Sequence, residues 1–368
     1  MERIPICSFF SGAGFLDLGF YLSEYDIIFT NEISEQISKI YESGMSSCLK
    51  KDVQIDCHDS IETLTAEKIK EIVIKRKKDK FWGIIGGPPC PDFSVGGKNK
   101  GHQGDKGRLT EVFIELICKT KPDFFVVENV KGLIKTQKHR VFFDSMVEKL
   151  EDNGYAVDFK VLNALELGVP QDRERIFIIG VKRKIFSAIF KKEYREDRGW
   201  FYWPCYEKYK NAKDNYSWPT VNKFGENAPK PTEIPEELMV GTYILDDGSI
   251  NNLPNSNEFF SPKSEKFVLI DEGDDRRKSF KRLHRWRFSP TVAYGNNEVH
   301  LHPIYARRLS VREALRLQSV PDSYIISEDI PLTAKFKAIG NGVPVKMANL
   351  LASNLNCFLK QYLYNQRG

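Results

Sequence analysis

Residues 4–19 of this chain have the sequence IPICSFFSGAGFLDLG, and the expected architecture follows from them. The apolar residues 4–10 predict a buried strand, and residues 11–14 form a glycine turn that opens a helix. Glycines in such a turn let backbone N–H groups approach a ligand, and the helix N-terminus adds a partial positive charge. A tight turn without a ligand has the same pattern, so the turn by itself is only a candidate site.

The next two segments place acidic residues where a nucleotide-like ligand would meet them. Residues 25–31 predict a second strand that ends at Glu32, 20 residues after Gly12. Nucleotide-binding folds place the acid that holds the ribose hydroxyls at about this spacing. A third segment, residues 53–57, is followed by Asp59, which either contacts an adenine amino group or lies in a turn without a ligand.

A proline-rich and glycine-rich loop follows the apolar residues 81–85, and its sequence at 86–90 is GGPPC. Cysteine combines strong nucleophilicity with good leaving-group behaviour near neutral pH. A lone cysteine is more often a small buried apolar residue. Adjacent prolines and glycines do not belong to a core strand, so the loop favours Cys90 as a nucleophile at the end of a strand.

Another predicted strand, within residues 122–130, carries Glu128 near its end. Open α/β sheets keep their chemistry at the carboxyl ends of the strands, where Cys90 is also expected. A buried Glu128 with a raised pKa could donate a proton. Further on, Arg173 and Arg175 alternate with acids at strand spacing, so they share one face. They either line a site or form surface ion pairs of little consequence.

Composition excludes several classes of protein. The 368 residues are 41% hydrophobic and 29% charged, which is ordinary for a soluble chain of about two domains. No apolar run approaches the ~20 residues that span a bilayer, and the first residues lack a signal-peptide pattern, so a cytoplasmic location is expected. The seven scattered cysteines form no CxxC pair, and His300 and His302 have no further ligands nearby in sequence, so no metal site is predicted.

The regular alternation of strands and helices stops after residue 181, and regular structure returns with a predicted helix at residues 308–318. We therefore predict a catalytic domain formed by residues 1–184 and 330–368, and a smaller irregular domain with a hinge at residues 185–329. Within the second domain, residues 276–287 contain seven Lys or Arg residues interleaved with aromatic residues. This mixture suits contacts with phosphates and bases, although the net charge of the whole chain is only +5.

Taken in order, six segments resemble the cytosine-C5 DNA methyltransferases of bacteria. The resemblance covers nearly the whole chain outside residues 185–290, and it rests on FSGAG at 10–14, GPPC at 87–90, ENV at 128–130, QDRER at 171–175, residues 308–318 and GNGV at 340–343. It implies a Rossmann-like α/β methyltransferase domain with a mixed, mostly parallel sheet, and a target recognition domain at 185–329. It also implies methyl transfer from S-adenosylmethionine to C5 of a flipped-out cytosine in double-stranded DNA, with no metal.

The same resemblance implies roles for single residues. S-adenosylmethionine would be held by Phe10, Gly12, Gly14, Glu32, Asp59 and Asn341. The pocket for the flipped cytosine would contain Cys90 as nucleophile, Glu128 as proton donor, Arg173 at the exocyclic oxygen, and Arg175. One position departs from the family pattern, because Pro91 stands where the family usually has Gln, which removes a backbone donor from the loop.

Three alternatives stay open at the level of sequence. A nicotinamide or flavin oxidoreductase shares the glycine turn and Glu32, but gives no reason for the GPPC and ENV segments. An RNA cytosine-C5 methyltransferase of the same family shares every catalytic residue. A non-catalytic DNA-binding regulator explains the basic segment but leaves Cys90 without a role. We expect the protein to be a monomer and double-stranded DNA to be its partner. Whether a cognate restriction endonuclease acts on the same site, without a stable complex, is left open.

Overall fold

A computed structural model describes residues 3–76, 81–89, 105–245, 249–261, 265–276, 279–292, 294 and 299–365. Within these ranges the chain forms a six-stranded sheet, a separate two-stranded sheet and twelve α-helices. The strands are β1 Ile4–Phe9, β2 Tyr25–Asn31, β3 Gly83–Gly86, β4 Phe124–Val130, β5 Tyr155–Asn163, β6 Glu174–Lys182, β7 Phe280–Arg282 and β8 Val299–Leu301. The helices are α1 Phe15–Leu22, α2 Glu35–Leu49, α3 Ala66–Arg76, α4 Asp105–Thr120, α5 Gln137–Asp152, α6 Arg183–Phe190, α7 Ala212–Asn215, α8 Gly241–Ile244, α9 Lys266–Leu269, α10 Val311–Leu317, α11 Leu332–Asn341 and α12 Val345–Asn365.

The large sheet has the strand order β2-β1-β3-β4-β6-β5. Its first four strands are parallel, while β6 runs antiparallel to both β4 and β5. The chain moves outward from β1 to β2 and then returns to the other side of β1 with β3. Such a reversal of strand order opens a crevice at the carboxyl ends of the two strands, which is where open α/β sheets bind ligands.

Apolar clusters cover both faces of this sheet. One cluster joins β1, β3 and β4 to helices α3, α4 and α5, and a second joins the opposite face to α6 and α12. Helices α1 and α12 cross closely because Gly19 has no side chain, since a Cβ atom there would lie 2.4 Å from the Cβ of Ala348. The fully buried strands explain why the sequence shows continuous apolar runs rather than alternation.

The predicted α/β fold with a mixed, mostly parallel sheet is therefore the fold of the structure. Helix α10 also begins as the sequence predicts, with a capping box in which the Ser310 hydroxyl accepts from the backbone N–H of Glu313 and the Glu313 carboxylate accepts from the N–H of Ser310. None of the helices within the described ranges is both long and apolar enough to cross a membrane.

The irregular region contains only short elements and the parallel pair β7 and β8. Its first part belongs to the sheet domain, because Trp200 and Phe201 join the cluster on the α12 face and the rings of Trp200 and Phe358 lie 5.3 Å apart. Its last part, helix α10, packs in a third cluster with α1, α2 and α11. The predicted bounds of 185 and 329 stay a prediction, and the packing favours a narrower separate region.

Candidate active site

The glycine turn lies at the crevice between the carboxyl ends of β1 and β3. Phe10, Gly12 and Gly14 all have positive φ angles, of 53°, 57° and 75°. Glycine adopts this conformation without strain, whereas Phe10 adopts it at a cost that is typical of functional turns. The Phe10 ring meets Phe113 of α4 edge-on at 5.6 Å, which holds the turn against the helix that follows β3.

Glu32 faces this turn from the end of β2. One carboxylate oxygen accepts from the backbone N–H of Gly12 at 3.1 Å, and the other accepts from the N–H of Ser34 at 2.9 Å. A carboxylate has about four acceptor positions, so Glu32 keeps capacity for two further donors. The structure thus brings together the turn and the acid that the spacing of 20 residues predicted as partners.

The other two predicted cofactor residues lie at the same edge. Asp59 is exposed, and its backbone carbonyl accepts from the side-chain amide of Asn31 at 2.9 Å, next to the end of β2. Asn341 is exposed at the end of α11. The following residue, Gly342, lies against Phe15 at the start of α1, because a Cβ atom at Gly342 would be 2.3 Å from the Phe15 ring. Their roles in binding a cofactor remain predictions.

Glu128 and Arg175 form a nearly buried ion pair at the same edge of the sheet. Arg175 Nε lies 2.9 Å from Glu128 Oε1, and the two side chains are 13% and 11% exposed. The register of β4 against β6 pairs Val130 with Arg175, which places both charged groups at the carboxyl end of β4. Burial raises the pKa of the Glu128 carboxyl, and the charges of Arg175 and Arg173 offset part of this.

Gly87 connects this pair to the loop that carries Cys90. A Cβ atom on Gly87 would lie 2.7 Å from Glu128 Oε2, so only glycine lets the carboxylate approach the backbone just after β3. Cys90 itself, like Pro91, lies outside the described residues. The described part of the loop nevertheless begins beside Glu128, three residues before Cys90.

Arg173 makes its contacts with the protein backbone. Its side chain is fully buried, and its two terminal nitrogens donate to the backbone carbonyls of Val292 and Gly340, both at 2.9 Å. Both terminal nitrogens of Arg173 are therefore engaged by the backbone, and its role at the exocyclic oxygen of a base stays a prediction. Arg173 ties the residues before β6 to the end of α11 and to Val292 of the irregular region.

Gln171, two residues before Arg173, is also fully buried, and no local sequence pattern predicts this. Its side-chain oxygen accepts from the N–H of Val292 at 3.1 Å, and its amide nitrogen donates to the carbonyl of Leu317 at 3.2 Å. A polar residue between two apolar segments offers no signal of such burial. The only available signal was its place in the QDRER segment.

Two arginines of the basic segment at 276–287 are engaged in the interior, while the phosphate-binding role of the segment stays a prediction. Arg282 is fully buried and donates to the backbone carbonyls of Ile270 at 2.6 Å and Tyr305 at 3.0 Å, among others. Arg285 pairs with the fully buried Glu272 at 2.7 Å. Residues 277 and 278 of this segment lie outside the described residues.

We expect Arg282→Ala to destabilise the protein and to leave the salt dependence of its DNA affinity unchanged. Removing the guanidinium leaves several buried carbonyls without donors, and the expected loss in the free energy of unfolding is about 3 kcal/mol. Chemical denaturation would measure it. The matched control is Arg276→Ala, whose side chain is 81% exposed, and a change beyond about 0.5 kcal/mol is not expected there. Equal stability of both variants would contradict the structural role.

His300 and His302 are also buried, and the groups around their rings differ. His302 Nε2 lies 3.6 Å from Glu313 Oε1, whereas both ring nitrogens of His300 lack a partner among the described residues. Burial lowers the pKa of His300 to about 3 and that of His302 to about 4, so both rings are neutral near pH 7. Among the described residues, no group of three or more His, Cys, Asp or Glu residues could hold a metal ion.

Comparison with known proteins sets aside two of the three open alternatives. The family model for C-5 cytosine-specific DNA methylases matches residues 4–357, which is nearly the whole chain. The chain belongs to this family. The methylase transfers a methyl group to C5 of cytosine in DNA, so the oxidoreductase and the non-catalytic regulator are set aside.

Curated relatives agree with this assignment. The methylase is 45% identical to the type II methyltransferase M.NmeDI of Neisseria meningitidis serogroup C, over 98% of this chain and 85% of the relative. It is 30% identical to the type II methyltransferase M.MthTI of Methanothermobacter thermautotrophicus, over 96% of this chain and 97% of the relative. The prediction of a bacterial type II cytosine-C5 methyltransferase is confirmed.

Solved structures agree on the fold. One is a DNA modification methyltransferase encoded within an E. coli prophage, with a TM-score of 0.61 and 21% identity over 97% of this chain and all of that one. Another is the Dnmt2 methyltransferase of S. pombe, with a TM-score of 0.61 and 15% identity over 98% of this chain and 99% of that one. The predicted Rossmann-like methyltransferase fold is confirmed.

Proposed function

We propose that the methylase uses S-adenosylmethionine to methylate a cytosine that is flipped out of double-stranded DNA, through a covalent bond between Cys90 Sγ and C6 of the base. The observation that carries this proposal is the Glu128–Arg175 pair beside Gly87, at the carboxyl edge of the sheet. This pair supports a pocket in which Glu128 is the proton donor and Arg175 is the cation, next to the loop of Cys90. The pocket would lie beside the crevice where open α/β sheets bind ligands.

The residues at the crevice fit S-adenosylmethionine. The donor has a ribose whose hydroxyls suit the free acceptor positions of Glu32, and the turn at Gly12 and Gly14 brings backbone close to the ligand. Asp59 and Asn341 are exposed at the same edge and can supply polar contacts. When bound there, the donor supplies an activated methyl group.

Cytosine C5 is a poor nucleophile until a thiolate adds to C6, which makes C5 an enamine carbon. We assign the addition to Cys90 Sγ and the proton at cytosine N3 to Glu128, which burial helps to keep protonated. Among the described residues, the Nη2 nitrogen of Arg175 donates to no protein acceptor, so Arg175 is assigned to the exocyclic oxygen in place of Arg173. Once C5 carries the methyl group that the bound donor would supply, a base removes the C5 proton, N3 returns its proton to Glu128, and the C6–Sγ bond breaks to release the Cys90 thiolate.

The covalent step can be tested with 5-fluorocytosine at the recognised position. Because fluorine cannot leave as a cation, addition and methyl transfer proceed but elimination stops, and protein and DNA remain joined. We expect an adduct that survives denaturing electrophoresis, that needs S-adenosylmethionine for full yield, and that is absent in Cys90→Ser. If the enzyme methylates ordinary cytosine in that site and forms no adduct with the fluorinated base, the covalent mechanism is wrong. The same assay with an RNA substrate tests the RNA alternative.

Two lysines that pair with acids of the QDRER segment are better candidates for DNA phosphate contacts than the segment at 276–287. Lys131 pairs with Glu174 and Lys213 pairs with Asp172, each at 2.7 Å, and both lysine side chains are about half exposed. Asp172 precedes Arg173, and Glu174 lies between Arg173 and Arg175. Lys131 directly follows β4. Exposed pairs of this kind contribute little to stability, so phosphates can compete for the lysines.

Replacing Lys131 by Ala should make the slope of log affinity against log salt less negative by about 0.9, because one phosphate contact and its counterion release are lost. Fluorescence anisotropy with a duplex, measured from low to moderate salt, gives the slope. The matched control is Lys192→Ala, which removes a similarly exposed lysine paired with Asp197 just after α6. An equal slope for wild type and Lys131→Ala would place the phosphate contacts elsewhere.

The finer partners are also part of the proposal. The type II names of the relatives support a cognate restriction endonuclease, and we propose that it acts on the same DNA site without a stable complex between the two enzymes. A monomer in the cytoplasm suffices for this role. We propose residues 204–309 as the core of the target recognition region, within the predicted 185–329, because residues on both sides of it pack with the sheet domain.

A further inference from the structure

A carboxylate lies buried directly behind the glycine turn. Asp17, in the first turn of α1, has no exposed surface. One of its oxygens accepts from the Ser8 hydroxyl at 2.7 Å, and the other accepts from the Tyr41 hydroxyl at 2.8 Å. Burial raises the pKa of Asp17 to about 6, and the two hydroxyls offset part of that effect.

Both hydroxyl partners also touch the turn. The Ser8 oxygen lies 3.0 Å from the Ser11 hydroxyl, and because the Ser8 proton is directed at Asp17, Ser11 is the donor in that contact. The Tyr41 ring packs on Gly14, since a Cβ atom on Gly14 would lie 2.9 Å from it. Asp17 therefore supports residue 11 through Ser8 and residue 14 through Tyr41, while Glu32 meets residue 12 from the other side.

We propose that Asp17 is a positioning residue for the methyl donor, and that through Ser8 and Tyr41 it holds residues 11–14 in the conformation that binds S-adenosylmethionine. This inference rests on the proposed use of that donor at the crevice. Asp17 itself is sealed beneath the turn, so it acts on the ligand through the turn and without touching it.

The chemistry of the three side chains explains why an acid occupies this position. Two hydroxyl donors converge on Asp17, and an ionised carboxylate is the side chain that offers two acceptor oxygens without a donor. Burying a charge is costly, and an apolar residue would stabilise a purely structural contact more cheaply. A costly group that orders a ligand-binding turn is what is expected at a functional site.

The test measures binding of S-adenosylmethionine to the full-length protein by isothermal titration calorimetry. We expect Asp17→Asn to raise Kd about tenfold, which corresponds to about 1.4 kcal/mol, because the amide presents a donor to one of the two hydroxyls. Ser8→Ala and Tyr41→Phe should each raise Kd by a smaller factor. In turnover assays, KM for the donor should rise with Kd, whereas kcat at saturating donor should stay within about twofold of wild type.

The matched control is Asp158→Asn, which changes another buried acid. Asp158 lies on β5, is 2% exposed, and accepts from the backbone N–H of Phe201 at 3.0 Å. Its replacement should lower the melting temperature and leave Kd unchanged. A Kd that follows melting temperature across both variants would show a merely structural role for Asp17 and overturn the inference.

Two further outcomes separate the inference from the proposed function. If wild type binds the donor and a folded Asp17→Asn binds it equally well, the positioning role is wrong while the proposed function stands. If Asp17→Asn does not fold, Ser8→Ala and Tyr41→Phe decide, and a wild-type Kd in both overturns the role. A wild-type protein that binds no S-adenosylmethionine would overturn the proposed donor itself.

Discussion

Cys90→Ser is expected to lower kcat by on the order of 10³-fold or more, because a hydroxyl near neutral pH cannot replace a thiolate in the addition to C6. Binding of DNA and of the methyl donor should change little, since the substitution only exchanges one sulfur atom for an oxygen. Transfer of labelled methyl groups to DNA measures turnover, and anisotropy and calorimetry measure the two affinities.

The matched control for this variant is Cys118→Ser. Cys118 is a buried residue of α4, and its sulfur lies 3.9 Å from the carbonyl of Lys149, away from the crevice. We expect its replacement to leave turnover within about twofold of wild type. Turnover of Cys90→Ser within tenfold of wild type would rule out Cys90 as the nucleophile.

Glu128→Gln is expected to lower kcat by about 10²–10⁴-fold, the usual range for loss of a general acid. The amide is close in shape to the carboxyl group, so the approach to Gly87 is preserved, but the amide has no acid proton to give to cytosine N3. The substitution also removes the charge that partners Arg175. KM for DNA should change far less than kcat, because the proton matters most in the transition state.

The pH dependence gives an independent check on Glu128. Since burial raises the pKa of Glu128, the protonated acid persists to higher pH than an exposed glutamate would allow. The contribution of this acid to kcat should be full below the raised pKa and should fall as the pH rises through it. In Glu128→Gln this alkaline fall should disappear.

Glu115→Gln is the control for this variant, because Glu115 is a half-exposed acid of α4 that pairs with Lys149 at 2.9 Å. Its turnover and pH profile should match those of wild type. If kcat of Glu128→Gln fell at alkaline pH as it does in wild type, the titrating group would be one other than Glu128.

Much of the fold could be predicted from short stretches of sequence. The apolar run of β1, the glycine turn and the start of α1 follow from local periodicity and from the backbone freedom of glycine. The pairing of Glu32 with Gly12 followed from a spacing of 20 residues, because one strand, one helix and the next strand have nearly constant lengths in such folds. The GPPC and ENV segments predicted where the chemistry lies, although Cys90 is outside the described residues.

The two arginines of the QDRER segment show what the sequence could not resolve. Strand periodicity predicts that Arg173 and Arg175 share a face, and nothing local tells them apart. Their contacts differ: Arg173 donates to the carbonyls of Val292 and Gly340, whereas Arg175 pairs with Glu128 of the neighbouring strand β4. Val292 and Gly340 lie 119 and 167 residues beyond Arg173, a separation over which no sequence pattern acts.

Arg282 and Asp17 follow the same rule. A basic run with aromatic residues predicts a phosphate surface, but backbone carbonyls folded around Arg282 place it in the interior. In sequence, Asp17 is an acid in the first turn of a helix, where it interacts favourably with the helix dipole. Only the packing of Tyr41 from α2 makes it a buried support of the glycine turn. The sequence by itself determined most elements, because these depend on local backbone preferences, and it indicated the family, because six characteristic segments occur in order along the chain. The tertiary structure decided which charged side chains face the pocket and which are buried as supports, because burial depends on groups that only folding brings together.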